Sequence, residues 1–144
     1  MYAKVPTAPK RLADYGPVVG AQQVGELRAL AASLRDARVL HLTVTAFGAG
    51  APEELTALVP LMNDVGLDAE WQVVRGGGEF ARVSRAMADA LGGLKVRAVP
   101  PLLDVWVRYN AMNARLFDGD YDFVVVHDPQ PAGIRSLLGQ TPGG

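Results

Sequence analysis

Apolar positions change their spacing several times along the chain, and each change marks an element. Val39, Leu40, Leu42 and Val44 form an apolar, partly β-branched run behind Arg38. That run predicts a strand covered on both faces. Upstream, Val24, Leu27, Leu30, Ala31 and Leu34 recur at helical spacing, with Glu26, Arg28, Arg35 and Asp36 on the opposite side, which predicts an amphipathic helix over residues 22–36. Downstream, Leu55, Leu58, Val59 and Met62 stripe a second helix over 52–64, ended by Gly66. An interior proline removes one helical hydrogen bond, so Pro60 predicts a bend there. In residues 68–74, Ala69, Trp71 and Val73 alternate with Asp68, Glu70 and Gln72, predicting a second strand with one wetter face. Strand, helix and strand at these lengths predict a parallel, right-handed βαβ unit.

The remaining pattern extends this reading. Residues 79–91 predict a helix with Phe80, Val83, Met87 and Leu91 inward, capped by Gly92 and Gly93. After an irregular stretch from Leu94 to Pro101, Leu102, Val105, Trp106, Tyr109, Met112, Leu116 and Phe117 make the broad apolar face of a helix over 102–117. Trp106 and Tyr109 read as core rather than as a ligand platform; Asn110, Asn113 and Arg115 read as solvated. Phe123–Val126 is short and wholly apolar, which predicts a central third strand, and a last short helix follows over 132–138. The fold expected is α/β: a partial Rossmann-like three-layer sandwich around a short parallel sheet. Residues 1–11, with Pro6 and Pro9, form an extended arm, 12–138 the domain, and 139–144 a glycine-rich, flexible tail. No internal repeat and no second domain stand out.

Composition narrows the function. The 144 residues carry a net charge of −1, giving no electrostatic case for nucleic acid or an acidic membrane. Cysteine is absent, so disulfides, thiol nucleophiles and cysteine metal sites are excluded, in keeping with a reducing, cytoplasmic setting. No apolar run is long enough to span a bilayer, and none follows the basic N-terminus as a signal peptide would require. Two histidines far apart and scattered carboxylates lack metal-ligand spacing, so no metal is expected. There is no nucleophile elbow and no Walker loop.

What chemistry the chain offers gathers at two strand ends. Gly48 and Gly50 follow the first strand; Pro52, Glu53 and Glu54 then suit the first turn of a helix. This is the strand-to-helix turn where open α/β sheets bind ligands, although Glu53 leaves the dinucleotide fingerprint G-x-G-x-x-G incomplete. The second strand also ends in Val74-Arg75 rather than an acidic ribose ligand, so a dinucleotide ranks low. The third strand ends in His127-Asp128-Pro129-Gln130-Pro131. If the first and third strands are neighbours, with the second outside the first, the glycine turn lies beside His127–Gln130 where strand order reverses. Turn N–H groups can bind phosphate or sugar oxygens, and Asp128, Gln130 and either tautomer of His127 can bond hydroxyls. His127 reads equally well as a strand-ending histidine bonded to nearby backbone. His41, inside the first strand, reads as a satisfied core histidine. Arg75–Gly78 reads as a linker rather than an anion nest.

Several segments, in order, carry a family resemblance: Leu12-Ala-Asp-Tyr15 with Val18-Val-Gly20, Glu26-Leu-Arg-Ala-Leu-Ala31, Arg38-Val-Leu-His41, Leu58-Val-Pro-Leu-Met62, Val65-Gly-Leu-Asp-Ala-Glu-Trp71, Phe80 with its helix, and Asp120-Tyr-Asp-Phe-Val-Val-Val-His-Asp-Pro-Gln-Pro131. From about residue 12 to 138 the chain resembles the N-terminal part of trehalose synthases of the retaining glycosyltransferase type. The resemblance implies the acceptor-side half of a GT-B architecture, in which a C-terminal domain binds the nucleotide-glucose donor and glucose passes to glucose with retention. It implies candidate acceptor-cleft residues Gly48, Gly50, Glu53, His127, Asp128 and Gln130, a sugar acceptor (glucose or trehalose), and no cofactor or metal in this chain. Catalytic residues stay unassigned. Two departures qualify the resemblance. The family's turn has three consecutive glycines before Val-Ala-Glu, whereas Ala49 and Pro52 stand here. The chain also stops soon after the third strand, so the donor-binding half is expected to be missing and chemistry by this chain alone is not expected. A separate donor-binding domain or a homodimer is the partner expected at the open sheet edge. The alternative is a non-catalytic sugar-binding or protein-interaction module derived from that domain.

Overall fold

The structure, a computed structural model, describes residues 2–96 and 100–138. Four strands form one sheet in the order β1-β3-β2-β4: β1 (Ala3–Lys4), β2 (Arg38–Thr43), β3 (Asp68–Val73) and β4 (Phe123–Val126). β2 is parallel to both of its neighbours, pairing Leu40 with Glu70 on one side and with Val124 on the other. The expected arrangement, second strand outside the first and third strand on the other flank, is the arrangement found.

β1 was not anticipated as a strand. The N-terminal arm runs antiparallel along the free edge of β3, pairing Ala3 with Val73 and Lys4 with Gln72. Tyr2 anchors it: the ring is buried and its hydroxyl donates 2.6 Å to the Asn113 carbonyl. An extended segment presents unpaired N–H and C=O groups, and an open sheet edge satisfies them.

Helices complete three layers. On one face α3 (Ala51–Asp64) covers the sheet, and Leu55 and Val59 pack with Val39, Ala69 and Trp71. On the other face α4 (Gly78–Leu91), α5 (Pro100–Leu116) and α6 (Ile134–Leu137) contribute Phe80, Ala114 and Ile134 around Leu40 and Leu42. β2 therefore buries alternate residues on opposite faces, which is why its sequence is apolar almost throughout. α3 continues through Pro60, whose ring is buried against the core. Asn63 closes the α3–β3 connection: its side chain accepts from the Ala69 N–H at 2.7 Å and donates to the Ala69 carbonyl at 3.0 Å.

Three expectations need correction. The N-terminal helical region consists of α1 (Gly16–Val19) and α2 (Ala21–Ala31), followed by a 3-10 turn at Ala32–Leu34. Its apolar stripe is largely bare: Leu27, Leu30 and Leu34 are exposed, and Ala31 alone is buried in α2. Periodicity gave the helix correctly, but only part of that stripe, at Val24 and Ala31, is covered. Asn110 and Asn113, expected in solvent, are each 1% exposed. They follow Trp106 at i+4 and i+7, so they lie on the buried stripe. Lastly, β4 was expected to be central, yet it is an outer strand of the described sheet, and all four of its residues are 39–48% exposed. The expectations for residues 97–99 and for the tail at 139–144 lie outside the described residues.

Candidate functional site at the carboxyl ends of β2 and β4

The parallel register of β2 and β4 brings the two predicted stretches together. The His127 N–H donates to the Leu42 carbonyl at 3.0 Å, extending the β2–β4 ladder by one residue. The Val44 N–H then donates to Asp128 Oδ2 at 2.8 Å. Asp128 thereby fixes the point where β2 turns toward Gly48. Its Oδ1 makes no protein hydrogen bond among the described residues.

The turn itself is open. Gly48 and Gly50 have φ of +107° and +86°, in the left-handed region that glycine enters without strain. Nothing lies within 4 Å of where a Cβ would stand on either, so a ligand could approach the backbone. Thr45 shapes the turn, its Oγ1 accepting from the Phe47 N–H at 3.2 Å. Gly50 is the N-cap of α3, and no side chain caps that end, so its first N–H groups face solvent beside Glu53. Glu53 is exposed, and no hydrogen bond links it to His127 or Asp128. Beside the turn, an open hollow is lined by Val44, Thr45, Ala46, Phe47, Thr56 and Trp71. Trp71 forms its floor, with the indole N–H donating 2.8 Å to Thr43 Oγ1. Phe47 stands 84% exposed at its rim.

His127 is half-buried, and its Nε2 lies 2.9 Å from Nδ1 of His41. The rings meet edge to edge along that contact, with centroids 5.2 Å apart and planes inclined by 27°. The other ring nitrogen of His41, Nε2, lies 3.3 Å from Met62 Sδ. His41 is 3% exposed, and burial, with the neighbouring His127 adding to it, lowers its pKa to about 4. It is the satisfied core histidine that its place in β2 predicted. Its contact with a second histidine 86 residues away could not be read from the chain.

Gln130 does not join the turn. It is 4% exposed and faces α5, where its backbone carbonyl accepts 2.8 Å from Asn110 Nδ2. Asn110 Oδ1, Gln130 Oε1 and Trp106 Nε1 are buried without protein partners among the described residues. Asn113 does more structural work than any polar residue foreseen. Its side chain bonds both the N–H and the carbonyl of Arg75, at 2.8 and 2.7 Å, and the carbonyl of Tyr109. A second polar cluster ties the arm to the sheet: Glu70 accepts from Lys4, Gln72 and Tyr121. Burial opposes ionisation of Glu70, but these hydrogen bonds and the Lys4 charge hold its pKa below the ordinary value. Burial and the bond to Glu70 push Tyr121 up to about 12.

Among the described residues, no group of three or more His, Cys, Asp or Glu is arranged to hold a metal ion. No helix there is long and apolar enough to cross a membrane.

Comparison with known proteins gives the lineage of this arrangement. A family described as the N-terminal domain of trehalose synthase matches residues 41–142, which include both histidines, the glycine turn and the segment from His127 to Gln130. Trehalose synthases of Thermococcus litoralis and Pyrococcus furiosus are each 40% identical over 125 residues, covering 85% of this chain and 30% of the relative. That of Rubrobacter xylanophilus is 38% identical over 142 residues, covering 96% of this chain and 34% of the relative. The chain thus spans about a third of the length of these relatives. With the match running through the ends of both β2 and β4, the chain belongs to the family of trehalose synthase N-terminal domains.

Proposed function

We propose that this chain is the acceptor-side part of a glycosyltransferase that makes trehalose from a nucleotide-glucose and glucose. The observation carrying the proposal is the meeting of the carboxyl ends of β2 and β4, tied by the bond from the Val44 N–H to Asp128, in a chain of this family. There an open glycine turn, a half-buried histidine and a carboxylate oxygen with no protein partner among the described residues follow adjoining strand ends. A sugar presents many hydroxyls, each both donor and acceptor. Asp128 Oδ1 accepts one, the His127 ring takes another, and the N–H groups at the start of α3 face the sugar oxygens. Gly48 and Gly50 let the ligand approach the backbone, and Glu53 stands in the first turn of α3. Gln130 supports the site from behind through α5. The nucleotide-glucose donor would bind a further domain, and transfer requires that domain. The lack of cysteine suits work in the reducing cytoplasm.

Titration calorimetry of the chain with glucose and with trehalose tests the reading. The expected result is saturable binding in the millimolar range, about −4 kcal/mol, which His127→Ala or Asp128→Ala weakens at least about tenfold. Absence of saturable binding, or full binding by both variants, would overturn it. A second reading, a protein-interaction module, is favoured by the exposed apolar strand β4. Tight pairing of β4 with another polypeptide, without sugar binding, would select it.

A further inference from the structure

The contacts around His41 fix which ring nitrogens carry protons. Met62 Sδ has lone pairs and no hydrogen, so it can only accept. At 3.3 Å from His41 Nε2 it favours a proton on that nitrogen. His41 is buried and neutral, with its pKa lowered to about 4. A neutral imidazole has a single N–H. With that proton on Nε2, Nδ1 of His41 is a bare acceptor. Nε2 of His127, 2.9 Å away, must then be the donor. Nδ1 of His127 has no protein partner among the described residues.

We propose that Met62 and His41 are positioning residues that hold neutral His127 in its Nε2–H tautomer, so that its Nδ1 lone pair is presented to accept a hydrogen bond from a sugar hydroxyl at the candidate site. The sugar part rests on the function proposed above; the relay from Met62 through His41 to His127 rests on the contacts alone. Its advantage is directional. An unconstrained histidine presents either a donor or an acceptor, whereas a locked one selects ligands with a donor at that place. A hydroxyl can supply it; an ether or ketone oxygen cannot.

Long-range proton–nitrogen correlation spectra of the 15N-labelled chain, recorded at a pH where His127 is neutral, read both tautomers directly. Both histidines are expected as Nε2–H. A His127 protonated on Nδ1 instead, or a His41 protonated on Nδ1, overturns the relay. Met62→Leu removes the sulfur acceptor while keeping volume. It is expected to let His41 populate Nδ1–H and, with it, to drive His127 toward Nδ1–H. Unchanged tautomers in this variant overturn the role of Met62, and a change in His41 without one in His127 overturns the coupling. A merely structural role for Met62 would lower stability and leave both tautomers alone. Glucose is then added to the wild-type chain. Movement of the His127 Nδ1 resonance, with His41 unmoved, is expected. If the tautomers are as stated but saturating glucose moves nothing, the sugar reading falls and the relay stands.

Discussion

The two flanks of β2 are finished differently. Toward β3 and α3, Val39, Leu55, Val59, Ala69 and Trp71 are each 5% exposed or less. The one polar atom at the heart of that cluster, the Trp71 indole nitrogen, has a partner in Thr43. Toward β4, the strand is equally apolar in sequence, yet Phe123, Val124, Val125 and Val126 are all exposed. Behind it, Asn110 holds the Gln130 carbonyl, and three buried polar atoms have no protein partner among the described residues. An apolar strand is not buried by its composition. It is buried when a second element covers it, and here one flank has that cover while the other has little.

The sharpest way to break this comparison is to truncate one apolar side chain on each side. Leu55→Ala opens a cavity in fully closed packing and should cost about 2–5 kcal/mol in urea unfolding. Val125→Ala removes groups that are already 39% exposed and should cost about 1 kcal/mol. Equal costs would show that the β4 flank is as closed as the other.

Next in size is an effect of pH on the buried histidine where the flanks meet. The folded pKa of His41 is lowered to about 4 from an ordinary 6.5. Between those values the unfolded chain binds the proton and the folded chain does not. The stability that depends on neutral His41 is therefore complete above about pH 6.5 and lost as pH falls toward 4, by up to about 3 kcal/mol. His41→Leu should flatten that part of the stability profile. An unaltered profile would mean that the acid sensitivity belongs to other groups.

Asn113→Ala probes the corner that follows β3. It leaves the Arg75 N–H and carbonyl without their partners. The expected cost is about 2–3 kcal/mol, with faster hydrogen exchange at the Arg75 amide. Exchange unchanged at Arg75 would move the support of that corner elsewhere.

The smallest effect on stability, and the most telling for the open edge, comes from Val125→Lys. It should shift the melting temperature little. It should also reduce the self-association expected of the wild-type chain in sedimentation velocity, because a charge on an edge strand opposes pairing. A wild-type chain that is monomeric at every concentration would contradict the expectation of an adhesive edge.

Much of this was legible in the chain. The run from Val39 to Val44, the alternation around Trp71 and the valines of β4 each announced a strand, and their order in the sheet followed from which were apolar on both faces. The Gly48–Gly50 turn and His127–Asp128 were expected to adjoin; the register sets the ends of β2 and β4 side by side, and Asp128 bonds the Val44 N–H where β2 leaves the sheet. Gln130 was grouped with them, and the structure turns it toward α5 instead. The polarity of Asn110 and Asn113 points to solvent, but their position decides: at i+4 and i+7 from Trp106 they share its face.

The sequence by itself determined the elements, their order along the chain and the place of the turn. Those properties rest on spacing within a few residues, which helical and strand periods convert directly into geometry. Only the tertiary structure decided that the arm caps β3, that the stripe of α2 stays largely bare, and that His41 meets His127 and Met62. Each of these depends on which distant surface arrives opposite a given face. Local periodicity says that a face exists; only the packed chain says what, if anything, lies against it.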